Sequence, residues 1–448
     1  NRVEVDARGR VVAEDVGGSR PAVPGKEVVL TLDADVQNRA LEVFGDESGA
    51  CVVMDVRNGD ILCMMSAPAF DPNLFVSGVP TRTYRALADY ERKPLLDKAI
   101  NGTFPPGSTF KPNTALALLE AGVDPTVRVV CNGSWRTGNR TQRCWGRHGP
   151  QTMHDAIKNS CDVYFYAMCN RAGVDRIRDT ALAMGFEHEF DIGVDNQRKG
   201  MLPSTEWKRR TFPNDPVWHP GETTSVAIGQ GAVTVNALQL AVYTSRLANA
   251  KKAIQPRLIK SVGGVERPSG AEAPDLPFKP ENIEFVRQGM IAVANDVSGG
   301  AYRQSQLGLG DILMAGKTGT AQSRNYGSGS RSSNVWSQKD HNLFIAFAPV
   351  DAPRYAVVII VEHGGRGGAT AAAPRAREVM RTVLLKDPEM RERMTRPPPP
   401  EATGPQFDEG EIGAAPEADL PTPEPAPRPR RTAPTATTGP RPYLSEPR

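Results

Sequence analysis

The Pro105-Pro106-Gly107 break stops any element that precedes it, and the apolar residues Ala115, Leu116, Leu118 and Leu119 follow at helical spacing. Between the two lies Ser108-Thr109-Phe110-Lys111, so a buried helix is predicted to open at Ser108. Pro112 agrees with that start. The first four amides of a helix have no intrahelical acceptor, so a proline there loses nothing. Positions three apart share a helix face, which sets the Lys111 amine beside the Ser108 hydroxyl. The chain must therefore fold so that a hydroxyl and an amine meet at the edge of its core.

Taken alone, a serine and a lysine one turn apart are ordinary helix surface. Two further strings change that reading, Ser160-Cys161-Asp162 and Lys317-Thr318-Gly319-Thr320, in this order along the chain. A serine hydroxyl is a poor nucleophile at neutral pH and needs a neighbouring base. Lys111 qualifies as that base if burial and a second cation such as Lys317 favour its neutral amine. Ser160 can relay a proton between Lys111, Lys317 and a leaving amine, and Asp162 can orient a lysine or a substrate amide. Lys317 to Thr320 falls in the alternating stretch Leu313 to Ala321, which reads as a strand. Gly319 would let a substrate peptide approach the backbone closely. The amides of Ser108 and Thr320 would then form an oxyanion hole. Together the three strings specify a serine acyl-transfer site.

These strings resemble the signature of the penicillin-recognising serine acyltransferases, S-x-x-K, then S-x-N or a variant, then K-T-G. Gly221-Glu222-Thr223 to Ile228-Gly229-Gln230-Gly231, the run from Lys317 to Gln322, and Lys339-Asp340-His341 to Phe347-Ala348-Pro349 extend the likeness to class B penicillin-binding proteins. It covers roughly residues 1 to 390, and within the class it points to the penicillin-binding protein 2 branch, the transpeptidases of cell elongation. The resemblance implies a D,D-transpeptidase acting on peptidoglycan stem peptides through Ser108. Lys317, Thr318 and Thr320 would bind the terminal carboxylate, as they would that of a β-lactam. It also implies a periplasmic catalytic domain, an N-terminal anchor in the inner membrane, and a RodA-like glycan polymerase of the SEDS type as partner within the elongation machinery. Asp162 departs from the pattern, which usually has Asn; an ionised aspartate accepts hydrogen bonds but cannot donate them. A serine β-lactamase shares all three strings, but no E-x-x-L-N string or carbamylated-lysine context supplies a deacylating base. A non-enzymatic β-lactam sensor would keep its adduct and carry a signalling segment.

Composition fits one sizeable catalytic domain with a smaller appendage, at 448 residues with 39% hydrophobic and 23% charged. A formal net charge of +3 gives no electrostatic case for nucleic acid. No apolar run approaches the roughly 20 residues that span a bilayer; Tyr355 to Val361 reads as a core strand. The chain starts at Asn1 without methionine or signal peptide, so a fragment is expected, and the resemblance implies that a membrane anchor and most of a non-catalytic pedestal are what it lacks. Residues 1–25, with a hairpin around Asp6-Ala7-Arg8-Gly9, would end that pedestal, and residues 26–395 would be the transpeptidase domain. Residues 396–448 hold 15 of the 39 prolines and only Phe407 and Tyr443 as aromatics, so a disordered tail is expected.

The fold class expected is α+β. Val28 to Leu32 reads as a strand and Asp35 to Val43 as a helix. Ala50 to Val56 and Ile61 to Ser66 flank Asn58-Gly59, a strong hairpin signal, and Leu343 to Ala348 and Tyr355 to Val361 flank a second turn. With the Lys317 strand these make a five-stranded antiparallel sheet. A helix opened by Pro374 would cover one face and helices after Ser108 and around Asp155 to Arg171 the other. That is the layering of the penicillin-binding protein and serine β-lactamase fold.

Cys131, Cys144, His148 and Cys161 read C-x12-C-x3-H-x12-C, a complete tetrahedral zinc set, with His154 in reserve. In an oxidising compartment six cysteines could instead form disulfides, for example Cys131 with Cys144. The family resemblance implies a metal in this region, with ligands at matching positions, and so favours a structural Zn2+ and no catalytic cofactor. Symmetric pairing about Asn58-Gly59 would put Cys51 opposite Ser66 and Cys63 opposite Met54, not opposite each other. Cys169 is expected to be a buried hydrophobe. His188, His219, His341 and His363 fit no Ser-His-Asp arrangement and are expected to be structural.

Overall fold

The computed structural model describes residues 2–15, 22–323 and 335–395. The expected proline-rich tail, 396–448, lies outside them. A helix, α1 (Ala34–Phe44), is capped by Asp33, whose side chain accepts from the amides of Asp35 and Val36. It leads into β1 (Ser48–Asp55) and β2 (Ile61–Ala67). Next, a short 3-10 turn, Gly107–Phe110, runs into α2 (Lys111–Glu120), followed by α3 (Met153–Lys158) and α4 (Asp162–Met168). The chain continues through α5 (Ala237–Asn249) and α6 (Pro280–Asn295) to β3 (Ala315–Ala321), β4 (His341–Ala348), β5 (Tyr355–Glu362) and α7 (Ala373–Lys386).

The five strands form one antiparallel sheet in the order β3-β4-β5-β1-β2. β1 and β4 are buried at every residue and β5 at all but its last, because helices cover both faces. Hence these strands read as near-continuous apolar runs. α5 packs on β1, β4 and β5, α6 on β3, and α1 and α7 on the other face. β3 stands at the edge of the sheet, and the turn Gly107–Phe110 packs against it. That contact makes the site: it brings the first and third sequence strings together.

Four local expectations need correction. The first expected strand ends at Leu30, two residues short of Leu32, and pairs with Ile259–Val262 outside the main sheet. In the first hairpin Cys51 pairs with Met65 and Cys63 with Val53, one residue off the symmetric register: the turn closes at Asp55 and Asp60, two residues off, and a bulge in β2 opposite Val53 and Met54 restores one. The two cysteines still do not face each other across the ladder, and neither forms a disulfide. Ser108 sits on the 3-10 turn that leads into α2, not on the α-helix itself; Gly107, at φ +53°, makes the sharp entry. Asp155 to Arg171 is interrupted at Asn159–Cys161, which leaves Ser160 between α3 and α4 at φ +51°. Arg2–Val5 and Val11–Asp15 form the expected hairpin around Asp6–Gly9. Among the described residues, no helix is long and apolar enough to cross a membrane.

Candidate active site

Lys111 and Lys317 are both fully buried, the first at the start of α2 and the second on the edge strand β3. Buried amines need partners, and the connection between α3 and α4 supplies them. Lys111 Nζ donates to Ser160 O at 2.7 Å and Ser160 Oγ at 3.1 Å and pairs with Asp162 at 2.6 Å. Lys317 Nζ donates to the same Ser160 Oγ at 2.9 Å and to Thr318 O at 3.1 Å. One hydroxyl thus touches both amines. Such a bridge can pass a proton between them. Burial, with the Lys111 charge nearby, pushes Lys317 well below the ordinary lysine range. Burial also pushes the Asp162 carboxyl up, while the Lys111 ammonium pulls it down.

The sequence places Lys111 beside Ser108 by helical spacing. In the structure Ser108 is half-buried on the turn just before Lys111, and the ammonium reaches across to Ser160 and Asp162. Gly319 also has a packing part that the sequence reading did not include. A Cβ there would stand 2.8 Å from Thr109 Cγ2 and 3.0 Å from Pro106 O. The close approach it permits is with the chain's own Ser108 turn. Thr318 is half-buried and Thr320 exposed on the outer part of β3.

Cys131, Cys144, His148 and Cys161 converge so that their four donor atoms all lie within 4.8 Å of one another. His148 Nδ1 is 3.4 Å from Cys131 Sγ and 3.6 Å from Cys144 Sγ. A tetrahedral zinc with its usual bond lengths separates sulfur and nitrogen ligands by about 3.6 Å, so the set fits that ion. All six cysteines are free thiols. The Cys161 thiol donates a hydrogen bond to Cys144 and, with backbone amides such as that of Asp162, holds Cys144 down to about 3. That same bond, with burial, pushes Cys161 up. His154 is not in the cluster; its ring lies against Phe285. Cys169 is fully buried, as expected.

Sequence reasoning gave no role to Trp145, next to Cys144. Its indole N–H donates to the carbonyls of Asn159 at 3.2 Å and Ser160 at 3.1 Å, which ties the cysteine loop to the Ser160 connection. His219 opens the helix Pro220–Ala227 and bonds to Asp215, while the rings of His341 and His363 lie 4.2 Å apart, tilted by 48°.

The description "Penicillin binding protein transpeptidase domain" matches residues 49–381. The chain is 35% identical to the peptidoglycan D,D-transpeptidase MrdA of Acinetobacter baumannii, over 82% of this chain and 55% of that protein. It therefore spans about half the length of that curated relative. Among solved structures, PBP2 of Pseudomonas aeruginosa in complex with WCK 5153 superposes with a TM-score of 0.73 at 36% identity, covering 82% of this chain and 77% of that one. PBP2 of Helicobacter pylori, solved as a complex with MreC, superposes with a TM-score of 0.71 at 28% identity, covering 86% of this chain and 68% of that one. With the three strings gathered at one edge of a five-stranded sheet, the chain belongs to the penicillin-binding protein transpeptidase family.

Proposed function

We propose that this chain crosslinks peptidoglycan stem peptides as a D,D-transpeptidase and is acylated by β-lactams at Ser108. The observation that carries this is the Ser160 hydroxyl held between two buried amines. Burial pushes Lys317 well below the ordinary lysine range, which makes it the proton acceptor of the pair. A proton moves from Lys111 through Ser160 Oγ to Lys317, and the neutral Lys111 then takes the proton of Ser108 as it attacks. The ammonium so formed at Lys317 faces the incoming carboxylate, with Thr318 and Thr320 as hydroxyl donors. Substrate binding thus favours the proton transfer that activates the nucleophile. Ser108 Oγ bonds to the carbonyl of the penultimate D-Ala, the C–N bond breaks, and the terminal D-Ala leaves with a proton returned through Ser160. An amine from a second stem then attacks the ester, gives up its proton by the same route and restores Ser108. The amides of Ser108 and Thr320 receive the negative charge that develops on the carbonyl oxygen.

A structural Zn2+ held by Cys131, Cys144, His148 and Cys161 fits the donor set, and when bound it supplies rigidity rather than a reacting centre. Cys161 lies between Ser160 and Asp162, so fixing its sulfur fixes the two groups that hold Lys111. Residues 26–395 would be the catalytic domain and residues 1–25 the end of a pedestal. The complex of PBP2 with MreC in Helicobacter pylori supports a place in elongation machinery. A RodA-like glycan polymerase would be the working partner there. The catalytic domain would then act in the periplasm, with an N-terminal anchor in the inner membrane.

Labelling with a fluorescent penicillin tests the central reading. Wild type should retain a covalent adduct for many minutes, and Ser108→Ala should retain none. Adduct on the alanine variant, or rapid turnover of nitrocefin by wild type, would remove the transpeptidase reading.

A further inference from the structure

The turn Ile228-Gly229-Gln230-Gly231, which follows the helix Pro220–Ala227, touches both halves of the site. On one side the amide of Gly107, the residue before Ser108, donates to Gly229 O at 2.9 Å. On the other, Gln230 Nε2 donates to Thr320 O at 3.2 Å. The turn is itself anchored, because the Gln230 amide donates to Ser225 O at 2.9 Å. The packing leaves no slack. A Cβ on Gly107 would stand 2.6 Å from Thr320 O, and a Cβ on Gly229 would run into Gly107 O and lie 2.8 Å from Phe110 Cβ. Both glycines also have positive φ, +53° and +67°.

The direction of the Thr320 peptide groups follows from strand geometry. In an antiparallel ladder the N–H and C=O of one residue point to the same edge, and successive residues alternate between edges. β3 pairs with β4 on one edge only, and Thr320 O points to the other, toward Gly107 and Gln230. Thr318 O, two residues earlier, points to that edge as well, where it meets Lys317 Nζ. The N–H of Thr320 is therefore on the open edge, facing the Ser108 turn.

We infer that Gln230 is a positioning residue for acyl transfer: its amide fixes the Thr320 carbonyl so that the N–H of that residue is aimed at the developing oxyanion, at a spacing from Ser108 set by Gly229. This rests on the acyl-transfer reading above. An oxyanion donor acts only within hydrogen-bond distance of where the charge forms, so a strand edge free to tilt would lose rate without losing affinity. Gln230 makes its described hydrogen bonds to Thr320 O and Ser225 O, not to Ser108 or either lysine. It acts through Thr320.

Stopped-flow acylation by a fluorescent penicillin separates the dissociation constant of the initial complex from the acylation rate constant. Gln230→Ala removes the donor and should lower the rate constant about tenfold, the loss expected for one hydrogen bond, with the dissociation constant within about twofold. Gln230→Glu keeps the shape but turns a carboxylate on the carbonyl, and should lower the rate further, about thirtyfold. Melting temperatures of both variants should stay within about 2 °C of wild type, as for a surface substitution. Wild-type rate constants in the two variants would overturn the inference. So would a loss that falls on the dissociation constant, or one matched by a broad loss of melting temperature, since either means contact or general loosening rather than aim. Absence of any Ser108 adduct in wild type would instead defeat the acyl-transfer reading, and this inference with it.

Discussion

Replacing Ser160 separates two roles that the structure combines in one residue. Its hydroxyl bridges Lys111 and Lys317, and its backbone sits at φ +51°, where a side chain costs about 1–2 kcal/mol and glycine does not. Ser160→Ala removes the bridge and keeps the strain. Ser160→Gly removes both. Neither variant can pass a proton between the amines, and loss of a positioned proton-transfer group costs about 10²–10⁴ in rate. The two should therefore acylate equally slowly. Their stabilities should differ. Relief of the left-handed conformation favours glycine by about 1–2 kcal/mol, and the larger entropy of an unfolded glycine returns about 0.5–1, which leaves glycine ahead by about 1 kcal/mol. Urea unfolding followed by tryptophan fluorescence measures the second quantity, and stopped-flow labelling with a fluorescent penicillin the first. Acylation of Ser160→Ala within threefold of wild type would refute the relay. A glycine variant no more stable than the alanine variant would refute the strain.

Three other outcomes follow from particular contacts. Chelation should lower melting temperature and acylation together and free three thiols, and Cys144→Ser should do the same and free the remaining two, read as bound metal and titratable thiols on one sample; protein with neither metal nor free thiols in this set would sink the zinc site. Gly319→Ala drives a Cβ to 2.8 Å from Thr109 Cγ2 and should cost about 1–3 kcal/mol while shifting the Ser108 turn, so urea stability and acylation should fall together; unchanged values would mean the strand and turn are loosely packed. His341, buried beside His363, has an imidazole pushed down to about 3 by burial first and by its neighbour second. The unfolded chain accepts a proton near pH 6.5 that the folded chain refuses, so stability is unaffected above that pH and falls as pH drops from 6.5 toward 3. At pH 5 the loss is about 2 kcal/mol from this group. His341→Asn keeps an acceptor for the His363 amide and should lose about 2 kcal/mol less than wild type between pH 7.5 and pH 5 in urea; an equal loss would refute the assignment.

Much of this architecture was legible because it is written locally. The strands β1, β4 and β5 are long apolar runs closed by turn residues, and the break before Ser108 is a proline–glycine signal that needs no tertiary context. The hairpin register was not legible. Asn58-Gly59 marks the turn, but a wider loop and the bulge opposite Val53 and Met54 together leave the cysteine contacts one residue off symmetric pairing. Trp145 and Gln230 escaped notice as functional for a similar reason: each acts by a hydrogen bond to a carbonyl whose position depends on the whole fold. The nearest sequence cues were the adjacency of Trp145 to Cys144 and the glycines flanking Gln230.

By itself the sequence determined which groups could react: a serine and lysine at a helix entrance, a second serine beside an aspartate, a lysine on a strand, and three cysteines with a histidine. Those are matters of residue type and short spacing. Tertiary structure alone decided what state they are in and which way they face. The Lys317 amine is pushed well below the ordinary lysine range because burial removes its water and Lys111 lies nearby, and neither condition is local. Thr320 presents its N–H to the cleft because β3 is an edge strand with one side unpaired, a property of strand order rather than of Lys317-Thr318-Gly319-Thr320. Chemistry of the groups is local, whereas solvation and direction are set by what the rest of the chain packs around them.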